Sequence, residues 1–277
     1  MREPLVDCHA HFLHALCGRS DWQEVNAARF RAGEKIGITC HVASILGTYG
    51  FMSPTYFPSP ADVTLGNDAM LAMIGHATSK GHEERVRMMV TVNPNHTAHA
   101  LKEIERCVAK GAIGVKLLAS RRADDPLLDP ICALAATHGL PVLHHIWQHR
   151  RREWPNQEIS DGADLAKLAA RHPKVIFILA HIGGGGDYAH TFHALKNSPN
   201  IYPDLSGSGV DRGMLDDAIK ALGAKRLLWG SDVTMCTGLA KLRALETTGL
   251  LGADDLKDIR WRNAARIFRA GSFEGAA

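Results

Sequence analysis

Eight short apolar runs recur along the 277-residue chain, each followed by a longer segment of helical character. They fall at 5–9, 38–45, 86–92, 113–118, 141–145, 175–181, 201–205 and 226–230. Most are continuously apolar rather than alternating, the pattern of parallel strands buried on both faces. Helices are expected over 20–35, 59–79, 97–110, 129–138, 161–171, 188–197, 211–222 and 239–247, with a further one opening at Asp254 and a last short one over 263–268. Gly111, Gly139 and Gly223 each follow a helical pattern, as C-terminal stops do. Eight strand–helix units in order, in a chain of this length, predict an α/β fold: a closed (β/α)8 barrel, the TIM-barrel arrangement, as a single domain over 1–277 with a short tail from about 270. An open sheet of the same size is the rival. No repeat, linker or second domain favours it.

In such a barrel chemistry sits at the carboxyl ends of the strands. Polar residues end the apolar runs on that side. His9 and His11 are two apart, so on a regular strand they project to one face. Lys116 lies near the end of the fourth run, His145 ends the fifth, His181 the sixth and Asp232 follows the eighth. His144 and His145 face opposite sides, so at most one points inward. A lone strand-end histidine is more often a satisfied core residue than a ligand. Five convergent positions are harder to dismiss, because clustered imidazoles need a compensating cation. Neutral nitrogens with a carboxylate suit Zn²⁺ holding an open position for water, whose pKa the ion brings down to about 7.

Bulk properties exclude other classes. Hydrophobic residues make up 45%, charged residues 22%, and the formal net charge is +3, an ordinary globular balance. No basic stripe for nucleic acid is present, and the cluster Arg150–Arg152 is short. No apolar run approaches the ~18 residues of a membrane span, and the opening MREPLVDCHAHF has no signal-peptide pattern. Cys8, Cys17, Cys40, Cys107, Cys132 and Cys236 form no CxxC pair, which fits reduced thiols and a cytoplasmic location. Strand alternation points Cys8 away from His9 and into the core. Asp7 shares the His9 face on the same reasoning. It is either a carboxylate orienting a ligand or a barrel-floor group paired with a buried base.

The segments DCHAHF, GVKLL, PVLHH, ILAHIGG, LLWGSD and NAARIF together resemble the amidohydrolase superfamily, and within it the amidohydrolase-related (amidohydrolase 2) branch, from residue 4 to about 268. The resemblance implies a metal site of His9, His11, His145, His181 and Asp232. His181 serves as acid/base or oxyanion stabiliser with one ion and as a ligand with two, and Asp232 also handles the proton of a water. Lys116 is implied as a carboxylated bridge between two ions or as an unmodified charge partner. One divalent ion, zinc first, is the expected cofactor. Some lactonases of the branch need no metal.

The expected activity is hydrolysis of a C–O or C–N bond of a small carboxylated or cyclic substrate. The alternative is a lyase, decarboxylase or hydratase, on the same scaffold, and a non-catalytic binding barrel comes third. Loop residues Arg121, Arg150 and Tyr49 are the expected substrate contacts, Arg121 and Arg150 as clamps for a carboxylate. Partners reduce to a small-molecule substrate, with no nucleic acid and no membrane. A homo-oligomer is compatible with the family.

Overall fold

The computed structural model describes residues 3–46, 56–80, 86–146, 158–182, 188–207, 212–232 and 235–273. Seven parallel strands hydrogen-bond in chain order: β1 (Val6–His11), β2 (Cys40–Ser44), β3 (Val86–Val92), β4 (Gly114–Leu117), β5 (Val142–His144), β6 (Phe177–Leu179) and β7 (Ile201–Pro203). One helix follows each strand: α1 (Trp22–Ile36), α2 (Pro60–Lys80), α3 (Thr97–Val108), α4 (Asp129–His138), α5 (Gly162–Arg171), α6 (Tyr188–Leu195) and α7 (Arg212–Leu222). Then come α8 (Met235–Thr247), α9 (Ala253–Lys257), a π-helical stretch (Asp258–Arg262) and α10 (Asn263–Ile267). Local chemistry sets the boundaries. Ser59 and Asp62 cap the start of α2 reciprocally, and Asp161 with Asp164 forms a capping box on α5.

The eighth run forms no ladder of its own, yet it closes the ring. Leu205 N–H donates to Leu228 O at 2.8 Å and Leu228 N–H to Pro203 O at 3.1 Å, on the β7 side. On the β1 side Cys8 N–H donates to Trp229 O at 3.0 Å and Asp232 N–H to His9 O at 2.6 Å. Regular pairing is interrupted at Gly230, where a Cβ would lie 3.1 Å from the His9 Cβ. The fold is therefore the expected TIM barrel, with residues 227–232 in the eighth strand position.

Register assigns the faces. Lys116, Leu143 and Ile178 are neighbours across β4, β5 and β6, so they share one face; Leu117, His144 and Leu179 share the other. The first face is the lumen, where Lys116 reaches His9 on the far side of the ring. Below that contact Val6, Cys8, Val42, Met89, Leu143, Ile178 and Leu228 pack together, plugged by Ala264, Ile267 and Phe268 of the C-terminal segment. Asn263 ties this plug to the closing segment, donating to Ala224 O and Leu227 O at 2.8 and 2.6 Å.

β1 carries a bulge that alternation alone does not predict. Asp7 pairs with His41 and Ala10 with Ala43, so three steps on β1 match two on β2. Two consecutive residues, Cys8 and His9, thus lie on the lumen side. This corrects two expectations. Cys8 is core, but it packs directly below His9 rather than opposite it. Asp7 does not share the His9 face. It points outward and its carboxylate accepts from the buried His41 Nδ1 at 2.9 Å and from Ser231.

Among the described residues no helix is long and apolar enough to cross a membrane. Cys8, Cys17, Cys40, Cys107 and Cys132 are buried free thiols.

Candidate metal centre

The bulge aims His9 and His11 together into the barrel mouth. Their Nε2 atoms lie 3.0 Å apart. Hydrogen bonding decides which nitrogen of each ring carries the proton. His9 Nδ1 lies 2.8 Å from the Asp204 carboxylate and His11 Nδ1 3.1 Å from the Ser44 carbonyl, both acceptors only. Each Nδ1 therefore donates. Burial holds both rings well below the ordinary histidine range, with the Lys116 charge adding to the effect, so both are neutral. Two unprotonated Nε2 lone pairs then face each other, a repulsion that cations relieve: Lys116 Nζ lies 2.9 Å from His9 Nε2, and a metal ion between the rings would engage both.

His145 and His181 meet across the mouth, with His145 Nδ1 3.1 Å from His181 Nε2. His181 Nδ1 faces the Ser206 hydroxyl at 3.2 Å and Asp232 Oδ2 at 3.5 Å. With the His181 proton on Nδ1, its Nε2 accepts from His145, and His145 Nε2 is left bare. That atom is buried and has no hydrogen-bond partner among the described residues. Asp232 Oδ1 lies 3.4 Å from His11 Nε2 and 3.9 Å from His9 Nε2. Three unprotonated imidazole nitrogens and a carboxylate directed at one mouth match the donor set of a divalent ion. The Nε2 atoms of His9 and His11 and Asp232 Oδ1 lie within 3.9 Å of one another, and His9, His181 and Asp232 bring one ligand atom each within 4.8 Å. His145 joins them on the His181 side.

Strain marks the same place. His181 and Asp232 are the non-glycine residues with positive φ among the described chain, at 64° and 54°. Such conformations cost about 1–3 kcal/mol each and persist where the surroundings impose them. Arg29 of α1 bonds the Asp232 carbonyl and donates to Ser231 Oγ at 2.7 Å, holding one turn. The other packs on Gly207, where a Cβ would lie 3.1 Å from the His181 Cβ.

Lys116 is buried with its Nζ 2.9 Å from His9 Nε2, and desolvation pulls its pKa to about 8. His144, the neighbour not expected to be a ligand, lies on the outer face; its Nδ1 donates to His145 O at 2.7 Å and burial takes its pKa to about 4.

Sequence reasoning misses Asp204. Fully buried at the end of β7, it accepts from His9 Nδ1, from the His181 and Ser206 amides and from the Ser206 hydroxyl. It thus holds His9 and His181, both candidate site residues, in place together. The signal was a carboxylate closing an apolar run, the feature that marks Asp232.

The loop expectations fare differently. Arg121 turns its guanidinium to Asn95 at 2.6 Å and Asp125 at 3.8 Å, outside the imidazole cluster. Tyr49 and Arg150 lie outside the described residues. Tyr56, seven positions on in the sequence from Tyr49, sets its ring centroid 5.1 Å from that of His145, tilted by 51°.

The family model described as Amidohydrolase (Amidohydro_2) matches residues 6–270. No curated protein matches the chain. Among solved structures the fold is similar to 5-carboxyvanillate decarboxylase from Sphingomonas paucimobilis, with TM-score 0.71, 16% identity and 97% of this chain and 99% of that chain covered. It is also similar to dihydroxybenzoic acid decarboxylase from Polaromonas sp. JS666, determined with bound manganese and 2-nitroresorcinol, with TM-score 0.69, 18% identity and 98% and 99% covered. A third is amidohydrolase 2 from Bifidobacterium longum subsp. infantis, with TM-score 0.60, 20% identity and 96% and 98% covered. At these identities the structures share a fold and no more, but the family model spans nearly the whole sequence: the chain belongs to the amidohydrolase family, in its amidohydrolase 2 branch.

Proposed function

We propose that this chain is a metal-dependent hydrolase that opens a C–O or C–N bond, in a lactone, ester or amide, of a small carboxylated or cyclic substrate. The observation that carries the reading is the two-sided use of Asp232, with Oδ1 toward His9 and His11 and Oδ2 toward His181 Nδ1. His9, His11, His145 and Asp232 would hold one divalent ion, zinc first. When bound, the ion supplies Lewis-acid polarisation and a lowered pKa for water in the mouth.

The chain's own groups move the proton. Asp232 Oδ2 is the acceptor for the proton of the attacking water, and His181 lies beside it to pass a proton to the leaving group. Burial holds the His181 pKa at about 3, so its ring is neutral in the resting site and receives a proton before giving one. Lys116 adds a buried positive charge for a substrate carboxylate or developing oxyanion. The Tyr56 ring forms part of the wall beside His145, and with Tyr49 and Arg150 it completes the proposed substrate contacts. Arg121, already engaged by Asn95 and Asp125, is the weakest of the set.

A second reading, a decarboxylase on the same scaffold, is favoured by two of the similar folds being decarboxylases and by the Lys116 charge facing the mouth. The test is elemental analysis of wild type and His9→Ala, with lactones, esters, amides and aromatic carboxylates assayed for acid release and for CO2. About one zinc per chain, lost in His9→Ala together with acid release, supports the hydrolase. CO2 release in its place selects the lyase. Two ions bring Lys116 and His181 into the ligand set, and a wild type without metal sinks the metal-dependent reading.

A further inference from the structure

Lys241 sits on α8, outside the barrel wall, and is 1% exposed. Its ammonium meets no carboxylate within ion-pair distance among the described residues. It donates instead to two backbone carbonyls, Ser206 O at 2.5 Å and Gly207 O at 2.9 Å. A cation buried in this way is costly, and well-packed apolar side chains in place of buried charges are often neutral or stabilising. The carbonyls it holds explain why the cation is there. Ser206 and Gly207 form the turn that supports the site from β7. The Ser206 hydroxyl lies 3.0 Å from His9 Nδ1 and 3.2 Å from His181 Nδ1 and donates to Asp204. The Gly207 backbone, at φ 86°, packs so closely on His181 that a Cβ there would come within 3.2 Å of its Nδ1.

We infer that Lys241 is a positioning residue: by clamping the Ser206 and Gly207 carbonyls from behind, it fixes the turn that sets the ring orientations of His9 and His181. It touches neither ring and no reacting atom, so it acts through the turn. The inference deepens the proposed metal-dependent reading and rests on it for the consequence in metal affinity, though not for the ring orientations themselves.

The experiment separates the two. Wild type, Lys241→Met and an exposed-lysine control, Lys220→Met on α7, are labelled with ¹⁵N-histidine. Their imidazole resonances are recorded without metal, and zinc affinity is measured by competition with a chelator well below the unfolding temperature. Lys241→Met is expected to shift the His9 and His181 ring signals and to weaken zinc about 10–100-fold, the usual consequence of disturbing groups that orient ligands. Lys220→Met is expected to do neither. Ring signals at their wild-type positions in Lys241→Met overturn the inference, even if the melting temperature falls. Should wild type bind no zinc, the metal reading fails by itself and the ring signals alone decide on Lys241. Lys241→Gln replaces Lys241→Met if the latter does not fold: its amide nitrogen stands one bond short of the Lys241 Nζ that holds both carbonyls. Shifts in both rings then support the inference, and ring signals at their wild-type positions overturn it.

Discussion

The lower lumen and the mouth of the barrel are lined by the same strands but held together by different forces. Below the bulge, Val6, Cys8, Leu143, Ile178 and Leu228 pack without polar partners, and burial of each large side chain contributes about 1.5–3 kcal/mol. One residue above, His9, His11, Lys116 and His181 are buried too, with His145 and Asp232 half-buried beside them, and each of these groups opposes burial. The floor stabilises the fold, whereas the mouth draws on that stability and returns chemistry. The difference shows why Asp204, Ser206 and Lys241 crowd behind the mouth and have no counterparts below. Buried polar groups must be held by other polar groups, and each layer of support needs the next.

The largest effect that would sharpen this division belongs to the mouth. Asp232→Asn keeps the shape and removes the proton acceptor. Turnover of whichever substrate the panel identifies is expected to fall by about 10²–10⁴-fold, with the melting temperature close to wild type. A loss below tenfold would take proton transfer away from Asp232 and reduce it to a ligand or a strut.

Ile178→Ala tests the floor. It removes a fully buried side chain from the lumen and is expected to cost about 2–5 kcal/mol in urea unfolding, with zinc affinity unchanged within twofold. Weakened zinc binding in a variant that stays folded would mean that floor packing also tunes the mouth, and the two regions could not be treated separately.

This division was only partly legible in the sequence. The strands could be read because parallel strands buried on both faces are continuous apolar runs, and 86–92 coincides with β3 in full. The convergence of His9, His11, Lys116, His145, His181 and Asp232 follows from their shared place at strand ends, once the barrel is granted. What could not be read depends on backbone departing from the ideal. The bulge at Cys8 and His9 leaves no compositional mark, so alternation misplaced Asp7 and misjudged the direction of Cys8. The eighth position bonds both neighbours without ladder geometry because Gly230 packs against His9. Lys241 is hidden for another reason: its role is set by the reach of a side chain from a helix to a turn 35 residues earlier, which no local pattern encodes.

Asp204→Asn probes the support behind the mouth. The amide keeps one acceptor oxygen but cannot serve His9 Nδ1, two backbone amides and Ser206 together. Zinc affinity is expected to fall about 10–100-fold, equivalent to about 1.4–2.7 kcal/mol, in a chelator competition. An affinity equal to wild type would show that His9 is held without this carboxylate, by the Ser206 hydroxyl and its packing against Gly230.

The smallest effect per group is electrostatic, and it separates the regions by pH. His181 and His144 are held at about 3 and about 4 in the folded chain, below the ordinary histidine value of about 6.5. Between those values the unfolded chain binds protons that the folded chain refuses, so acid favours unfolding. Their contribution is complete above about pH 6.5 and is lost as the pH falls, at about 1.4 kcal/mol per unit for each imidazole until its folded pKa is reached. Burial holds His9, His11 and His145 well below the ordinary range too, so urea unfolding of the metal-free chain at pH 7, 6 and 5 should show at least this slope, and His144→Gln should remove one imidazole's share. Ile178→Ala should lower the whole curve without changing its slope, because the floor holds no group that titrates there. A curve flat from pH 7 to 5 would mean that the buried imidazoles take up protons in the folded chain, and the tautomers assigned to the mouth would have to be redrawn.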